Sequence, residues 1–255
     1  MPSSLQPGGG LGTRDGVFLG GRPLASILNG LLHFFSYWLL LRRSRTAIVR
    51  AGGFRLVVPP TVFHPRHFLT SEFFARFIAR LDLAGKRVAD VGTGSGILAL
   101  TAARTGAVHV DAIDINPNAA RAAAQNAREN GLSKAVSAIC SDLFSEVPAG
   151  LRYDVIVTNP PYFAGEPLDL ADRAWHAGPA WRDMRPLFEQ ARSRLAPGGR
   201  IYMVISSRAD LDLVTALISR ADLHCHIVEQ RANLIESFII YELSPKQHGE
   251  AKNPN

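Results

Sequence analysis

From residue 87 onward the chain alternates short, almost wholly apolar runs with segments of helical period, and that alternation constrains the fold more than any other feature. RVADV (87–91), VHVDAIDI (108–115), AVSAIC (135–140), YDVIVTN (153–159) and RIYMVIS (200–206) read as strands. ILALTAARTG (97–106), the alanine-rich NAARAAAQNARENG (118–131), AWRDMRPLFEQARSRL (180–195) and LDLVTALISRA (211–221) read as helices between them. Apolar strands separated by helices imply a parallel sheet covered on both faces. The last two strands, DLHCHIVEQ (222–230) and ESFIIYEL (236–243), are linked too briefly for a crossover helix and should pair antiparallel. The expected fold is therefore α/β: a Rossmann-like, mostly parallel sheet with an antiparallel last strand.

The segments before residue 87 differ in character. Residues 1–23, rich in Gly, Pro and Ser, read as a flexible lead. Residues 24–41, LASILNGLLHFFSYWLLL, read as an amphipathic helix that packs on the domain, on a second copy or on a partner subunit. The arginines that follow it make a membrane surface a less favoured alternative, and its eighteen residues, short for a bilayer, make a membrane span the least favoured one. TAIVRAGGFRLVV (46–58) reads as a hairpin turning at Ala51-Gly52-Gly53, so 24–60 is expected to hold helix plus hairpin. Residues 61–244 form the expected catalytic domain, with a helix over 71–82 that Ser71 can cap, and 245–255 are a polar tail.

Charge and cysteine usage narrow the class further. Residues 1–60 hold seven arginines and one acid, whereas the other 195 residues carry 21 basic and 21 acidic side chains. A basic patch that suggests nucleic acid is thus confined to the N-terminal quarter. Two distant cysteines, Cys140 and Cys225, exclude a disulfide scaffold and fit a reducing, cytoplasmic setting. No Cys/His spacing calls for a metal.

Two constellations carry chemistry. The first is Asp90-Val91-Gly92-Thr93-Gly94-Ser95-Gly96, which follows the first buried strand and opens a helix. Its glycines let backbone approach a ligand closely. Asp114 ends the next strand, where an acid accepts from ribose hydroxyls, with Ile115 beside it. Asp142 and Leu143 follow the third strand, where Asp142 can reach an adenine amino group. The loop carries an acid and no base, which disfavours a phosphate ligand and favours a cationic nucleoside such as S-adenosylmethionine.

The second is Asn159-Pro160-Pro161-Tyr162, at the carboxyl end of the fourth strand. Two prolines fix φ and hold Asn159 extended. The Asn159 side-chain oxygen and the Pro160 carbonyl become fixed acceptors beside the Tyr162 ring, a fit for a planar –NH2 group. Trp175, His176 and Trp181 follow in a segment that can line the acceptor site, as can His64 and His67.

These residues resemble the class I S-adenosylmethionine-dependent methyltransferases with an NPPY motif, over residues 54–243. The resemblance rests on DVGTGSG (90–96), DINPNA (114–119), NGL (130–132), SDLF (141–144), NPPY (159–162) and LAPGGR (195–200). Within that group the chain is similar to the HemK-type enzymes, which methylate a glutamine side chain of translation release factors. FRLVVPPTVFHPRHFLTSE (54–72) is similar to their hairpin and following segment, although His67, Phe68 and Leu69 stand where an acid is expected. The resemblance implies a seven-stranded sheet and N-methylation of a protein glutamine. The chemistry is equally compatible with a nucleic-acid base amino group or a small-molecule metabolite. A binding module without catalysis would be expected to have lost Asn159 or a loop glycine, and neither is lost.

Overall fold

A computed structural model describes residues 45–62, 69–169, 172–232 and 236–246, all within one compact unit, 37–255. The expected helix over 24–41, the lead, and His64 and His67 lie outside these residues. No helix among the described residues is long and apolar enough to cross a membrane.

A hairpin comes first: β1 (Ala47–Ala51) pairs antiparallel with β2 (Phe54–Val58). Its two-residue turn, Gly52-Gly53, takes φ of 57° and 78°, the left-handed pair that matches the twist of the flanking strands. Then follow α1 (Leu69–Ile78), β3 (Arg87–Val91), α2 (Ile97–Arg104), β4 (His109–Asp114), α3 (Pro117–Glu129), β5 (Val136–Cys140) and β6 (Tyr153–Thr158). The chain ends with α4 (Met184–Ser193), β7 (Leu195–Ser206), α5 (Leu211–Arg220), β8 (Leu223–Ala232) and β9 (Ser237–Pro245).

The seven strands run in the order β5-β4-β3-β6-β7-β9-β8. Pairings from β5 to β7 are parallel, and β9 is antiparallel to both β7 and β8. The expected sheet is therefore present, with the last strand of the sequence inserted between β7 and β8. The order reverses at β3, so the carboxyl ends of β3, β4 and β6 flank the crevice where such sheets bind ligands.

One core, on one side of the sheet, joins the hairpin's Phe54, Leu56 and Val58 to Phe74 and Ile78 of α1 and to α2 and α3. The other joins Ile156, Met203 and Ile239 to Phe188 of α4 and Ile218 of α5. The hairpin thus shares a core with the sheet domain.

A buried asparagine clasps the hairpin onto α3. Asn126 is fully buried and behaves as a strand neighbour of Val57: its Oδ1 accepts from Val57 N–H at 2.7 Å and its Nδ2 donates to Val57 O at 3.0 Å. The same Nδ2 donates to Ser95 O in the glycine loop at 2.9 Å. Asn126→Ala leaves three buried backbone groups without partners. The expected cost is about 2 kcal/mol, the scale of stranded buried polar groups, seen as a lower denaturant midpoint at unchanged m-value.

Several boundaries differ from the sequence reading, among them the end of α1 at Ile78 and of β8 at Ala232. α1 begins at Leu69, so Ser71 lies inside its first turns and is buried instead of capping it. α4 begins at Met184 because Ala180 and Trp181 take positive φ, 49° and 58°, which breaks the helix while burying the Trp181 ring. β7 begins at Leu195, since Tyr153 pairs with Leu195 before the register shifts ahead of Val155.

Candidate functional site

A cavity opens at the carboxyl ends of β3, β4, β5 and β6. Gly92, Thr93 and Gly94 line it from the loop after β3, Asp114, Ile115 and Asn116 after β4, and Ser141, Asp142 and Leu143 after β5. Asn159, Pro160, Pro161 and Tyr162 line it after β6. Residues as far apart in sequence as Gly92 and Tyr162 reach one cavity because parallel strands deliver all their carboxyl ends to one edge.

The loop after β3 is held from below and from the side. Asp90 is fully buried, and its Oδ2 accepts from Thr93 Oγ1 at 2.6 Å and Ala99 N–H at 3.0 Å. Its Oδ1 has no partner among the described atoms. Burial pushes this carboxyl up to about 7, despite those two bonds. Gly96 caps α2 with φ of 84°, and a Cβ there would come within 3.1 Å of Ala123 in α3. Asp90 and Gly96 are not among the lining residues. They shape the loop, whereas Gly92, Thr93 and Gly94 face the cavity.

Asp114 fastens the loop from the neighbouring strand. Its Oδ2 accepts from Gly94 N–H and its Oδ1 from Asn116 N–H, both at 2.9 Å. Burial raises its pKa, opposed by those two bonds. Each oxygen keeps a second lone pair for a ligand hydroxyl. Asp142 is exposed at the rim. Leu143, beside it, takes φ of 49°, a left-handed conformation unusual for a leucine, in the cavity wall.

The turn after β6 is locked at both ends. Thr158 Oγ1 donates to Val91 O at 2.9 Å, tying β6 to β3. The Tyr162 hydroxyl lies 3.2 Å from Thr70 Oγ1 of α1 and 3.4 Å from Asn159 Oδ1. Burial pushes that hydroxyl up to about 12, so it remains a donor. Sequence reading did not name Thr70, Asn116, Ser141, Met184 or Leu187 as site residues: Asn116 and Ser141 stand within DINPNA and SDLF, whereas Thr70, Met184 and Leu187 bear on this site from ordinary helix positions. His176 lines the cavity, while Trp175 and Trp181 are buried. His224 and His226 are exposed and stacked on β8, and no cluster of three or more His, Cys, Asp or Glu that could hold a metal occurs among the described residues.

The residues fit S-adenosylmethionine on their own chemistry. The loop has room for close approach, since a Cβ on Gly92 would meet nothing within 4 Å. The acids that line the cavity beside it include Asp114 and Asp142, and no Lys or Arg stands in the 90–96 loop, which suits a sulfonium and an ammonium.

Fold and cavity together define a Rossmann-like methyltransferase that uses S-adenosylmethionine. The methyltransferase small domain family matches residues 53–234, and the chain belongs to it. Among curated relatives, a ribosomal protein L11 methyltransferase of Deinococcus radiodurans is 40% identical over 115 residues, 45% of this chain and 40% of its own. A tRNA1(Val) (adenine(37)-N6)-methyltransferase of Aeromonas hydrophila is 34% identical over 142 residues, 54% of this chain and 59% of its own. A Methanocaldococcus jannaschii protein that bears the name protein N5-glutamine methyltransferase is 32% identical over 115 residues, 45% of this chain and 54% of its own. The chain thus matches roughly half the length of these relatives. The solved ribosomal protein L11 methylase of Lactobacillus delbrueckii subsp. bulgaricus superposes with a TM-score of 0.53 at 25% identity, covering 72% of this chain and 81% of that one.

The unsatisfied, buried Asp90 sets a pH dependence. An acid whose folded-state pKa lies above its ordinary 3.8 binds more protons folded than unfolded between the two values. Its stabilising contribution is complete below 3.8 and is lost as pH rises through about 7. In the absence of cofactor, the parent should therefore lose more melting temperature between roughly pH 5 and pH 8 than Asp90→Asn does. Scanning calorimetry at both pH values checks this. Equal slopes for the two proteins would show that Asp90 does not titrate in this window.

Proposed function

We propose that the protein is an S-adenosylmethionine-dependent N-methyltransferase acting on a planar amide or amino nitrogen, with a protein glutamine side chain as the favoured acceptor. The observation that carries this reading is the stiff turn after β6, whose Asn159 and Pro160 line the same cavity as Gly92, Gly94 and Asp114. Gly92, Thr93, Gly94, Asp114, Ile115, Asp142 and Leu143 hold the methyl donor, with Asp90 and Gly96 setting the loop and Asn159 at the junction with the acceptor. Asn159 and Pro160 accept the two N–H bonds of the acceptor. That grip turns the nitrogen lone pair out of conjugation and toward the methyl carbon, and it strengthens as charge builds on nitrogen. Tyr162 lies against the acceptor plane and donates to Asn159. Most of the rate comes from positioning, for which effective molarities reach ~10⁵ M or more.

The glutamine preference is supported by the HemK-type motifs and by the N5-glutamine relative. A second reading, an adenine amino group, is favoured by the adenine-N6 relative, which aligns over more of this chain than the other two do. Transfer of tritiated methyl from S-adenosylmethionine to protein, RNA and small-molecule fractions of a cell extract decides. Label in protein, recovered as N5-methylglutamine, is expected. Label in RNA alone moves the acceptor to a base, and no label in any fraction overturns the methyltransferase reading.

A further inference from the structure

The chain leaves β2 through a tight turn that ends on the cofactor cavity. Val62 N–H donates to Pro59 O at 3.4 Å, and Thr61, the third residue of Pro59-Pro60-Thr61-Val62, takes φ of 68°. Proline second and positive φ third is the pattern of a type II turn, whose third position favours glycine or asparagine. A β-branched threonine there is an outlier, kept only where its surroundings over-determine it. Thr61 and Val62 both line the cavity with Gly92, Gly94, Asp114 and Asn116.

Two asparagines at the start of α3 supply those surroundings. Asn116 Oδ1 accepts from Asn118 N–H at 2.9 Å, so its Nδ2 faces the turn and donates to Thr61 O at 2.9 Å. Asn118 Oδ1 accepts from Arg121 Nη2 at 2.8 Å, and its Nδ2 donates to Thr61 Oγ1 at 3.1 Å. Each amide is oriented by its other bond, so toward α3 the Thr61 hydroxyl oxygen is an acceptor. No described residue accepts from that hydroxyl in turn. Asn116 also donates its backbone N–H to Asp114 Oδ1 at 2.9 Å, so a single residue links Thr61 to the Asp114 carboxylate.

We propose that Thr61 is a further cofactor-binding residue, whose hydroxyl donates to a ribose oxygen of S-adenosylmethionine while Asp114 accepts from the ribose hydroxyls. The inference rests on the placing of that ribose at Asp114. A ribose hydroxyl that donates to a carboxylate keeps lone pairs that take a donor. Asp114 offers acceptors only. Thr61, in the cavity wall with a hydroxyl hydrogen to give, offers the donor. A turn with a structural task alone is served by glycine, which adopts positive φ at no steric cost. What threonine adds there is the hydroxyl. The hairpin thereby reads the sugar of the cofactor and selects a ribose over a deoxyribose.

The test is titration calorimetry on the full-length protein with S-adenosylmethionine, adenosine, 2′-deoxyadenosine and 3′-deoxyadenosine. The parent, Thr61→Val, Thr61→Ser, Thr61→Gly and Asp114→Ala are compared. Thr61→Val should bind S-adenosylmethionine and adenosine about 3- to 10-fold more weakly, the scale of one neutral hydrogen bond. That loss should vanish for the deoxynucleoside that lacks the bonded hydroxyl and persist for the other. Thr61→Ser keeps the hydroxyl and should bind like the parent. Thr61→Gly removes the hydroxyl without a strained φ and should repeat the Thr61→Val pattern, so the result does not hang on the fold of one variant. Parent-like affinities in Thr61→Val and Thr61→Gly overturn the proposal. So does an equal loss on every ligand, or a Thr61→Ser as weak as Thr61→Val, because either marks a structural role. A parent that binds none of these ligands, or an Asp114→Ala that binds them as the parent does, overturns the placing of the ribose itself, and this inference with it. A weakened Asp114→Ala beside unaffected Thr61 variants overturns this inference alone.

Discussion

Asn159→Ala should lower kcat by something like 10²–10³, the scale seen when one preorganised polar group is removed from a transition-state site. Its fold and its cofactor affinity should barely change. The turn does not depend on this side chain: Pro160 and Pro161 fix the backbone, and Thr158 Oγ1 ties the strand end to Val91 O. Tyr162 loses its contact with Asn159 Oδ1 but keeps Thr70 Oγ1 at 3.2 Å. What disappears is one of two acceptors on the target nitrogen, and that acceptor matters most when positive charge has built up. The loss should therefore fall on kcat more than on KM. Asn159→Asp keeps an acceptor, so it should retain partial activity. Parent-like turnover by Asn159→Ala would make the turn purely structural and remove the planar-nitrogen class with it.

Asp114→Ala should weaken S-adenosylmethionine binding by about 1.5–3 kcal/mol, roughly 10- to 150-fold, as for hydrogen bonds to a charged group. Two effects act in the same direction. The ribose hydroxyls lose their acceptor, and Gly94 and Asn116 lose the carboxylate that holds their N–H groups. Titration calorimetry measures the loss, with adenosine as a second ligand. Adenosine carries the ribose, so its affinity should fall as well. Unchanged affinity for both ligands in a folded Asp114→Ala protein would exclude Asp114 from the site.

The glycine loop and the NPPY turn were legible because their signals are local. Consecutive prolines restrict φ whatever surrounds them, and glycines at spacing two between strand and helix mark a sharp turn with room for close approach. The hairpin was legible for the same reason, through Gly52-Gly53. The lining of the cavity was not. Met184 and Leu187 are ordinary core residues of α4 by their spacing, and they reach the cavity only through the way α4 packs against β7. Asp90 was expected beside the ligand, and its position below the loop, fully buried with one oxygen unpaired, was not legible.

What the sequence determined by itself is the order of strands and helices, the antiparallel final pair and the residue types at each strand's carboxyl end. Period, φ restriction and loop length act over a few residues and need no knowledge of the rest. Tertiary structure alone decided which residues meet across long stretches of chain. Asn126 clasps Val57 across 69 residues, and Tyr162 meets Thr70 across 92. A polar side chain in an alanine-rich helix, or a threonine in the first turn of another, looks solvated until the sheet closes over it. Burial then makes its hydrogen bonds obligatory, because an unpaired polar group in a dry interior costs more than the chain entropy of bringing its partner to it.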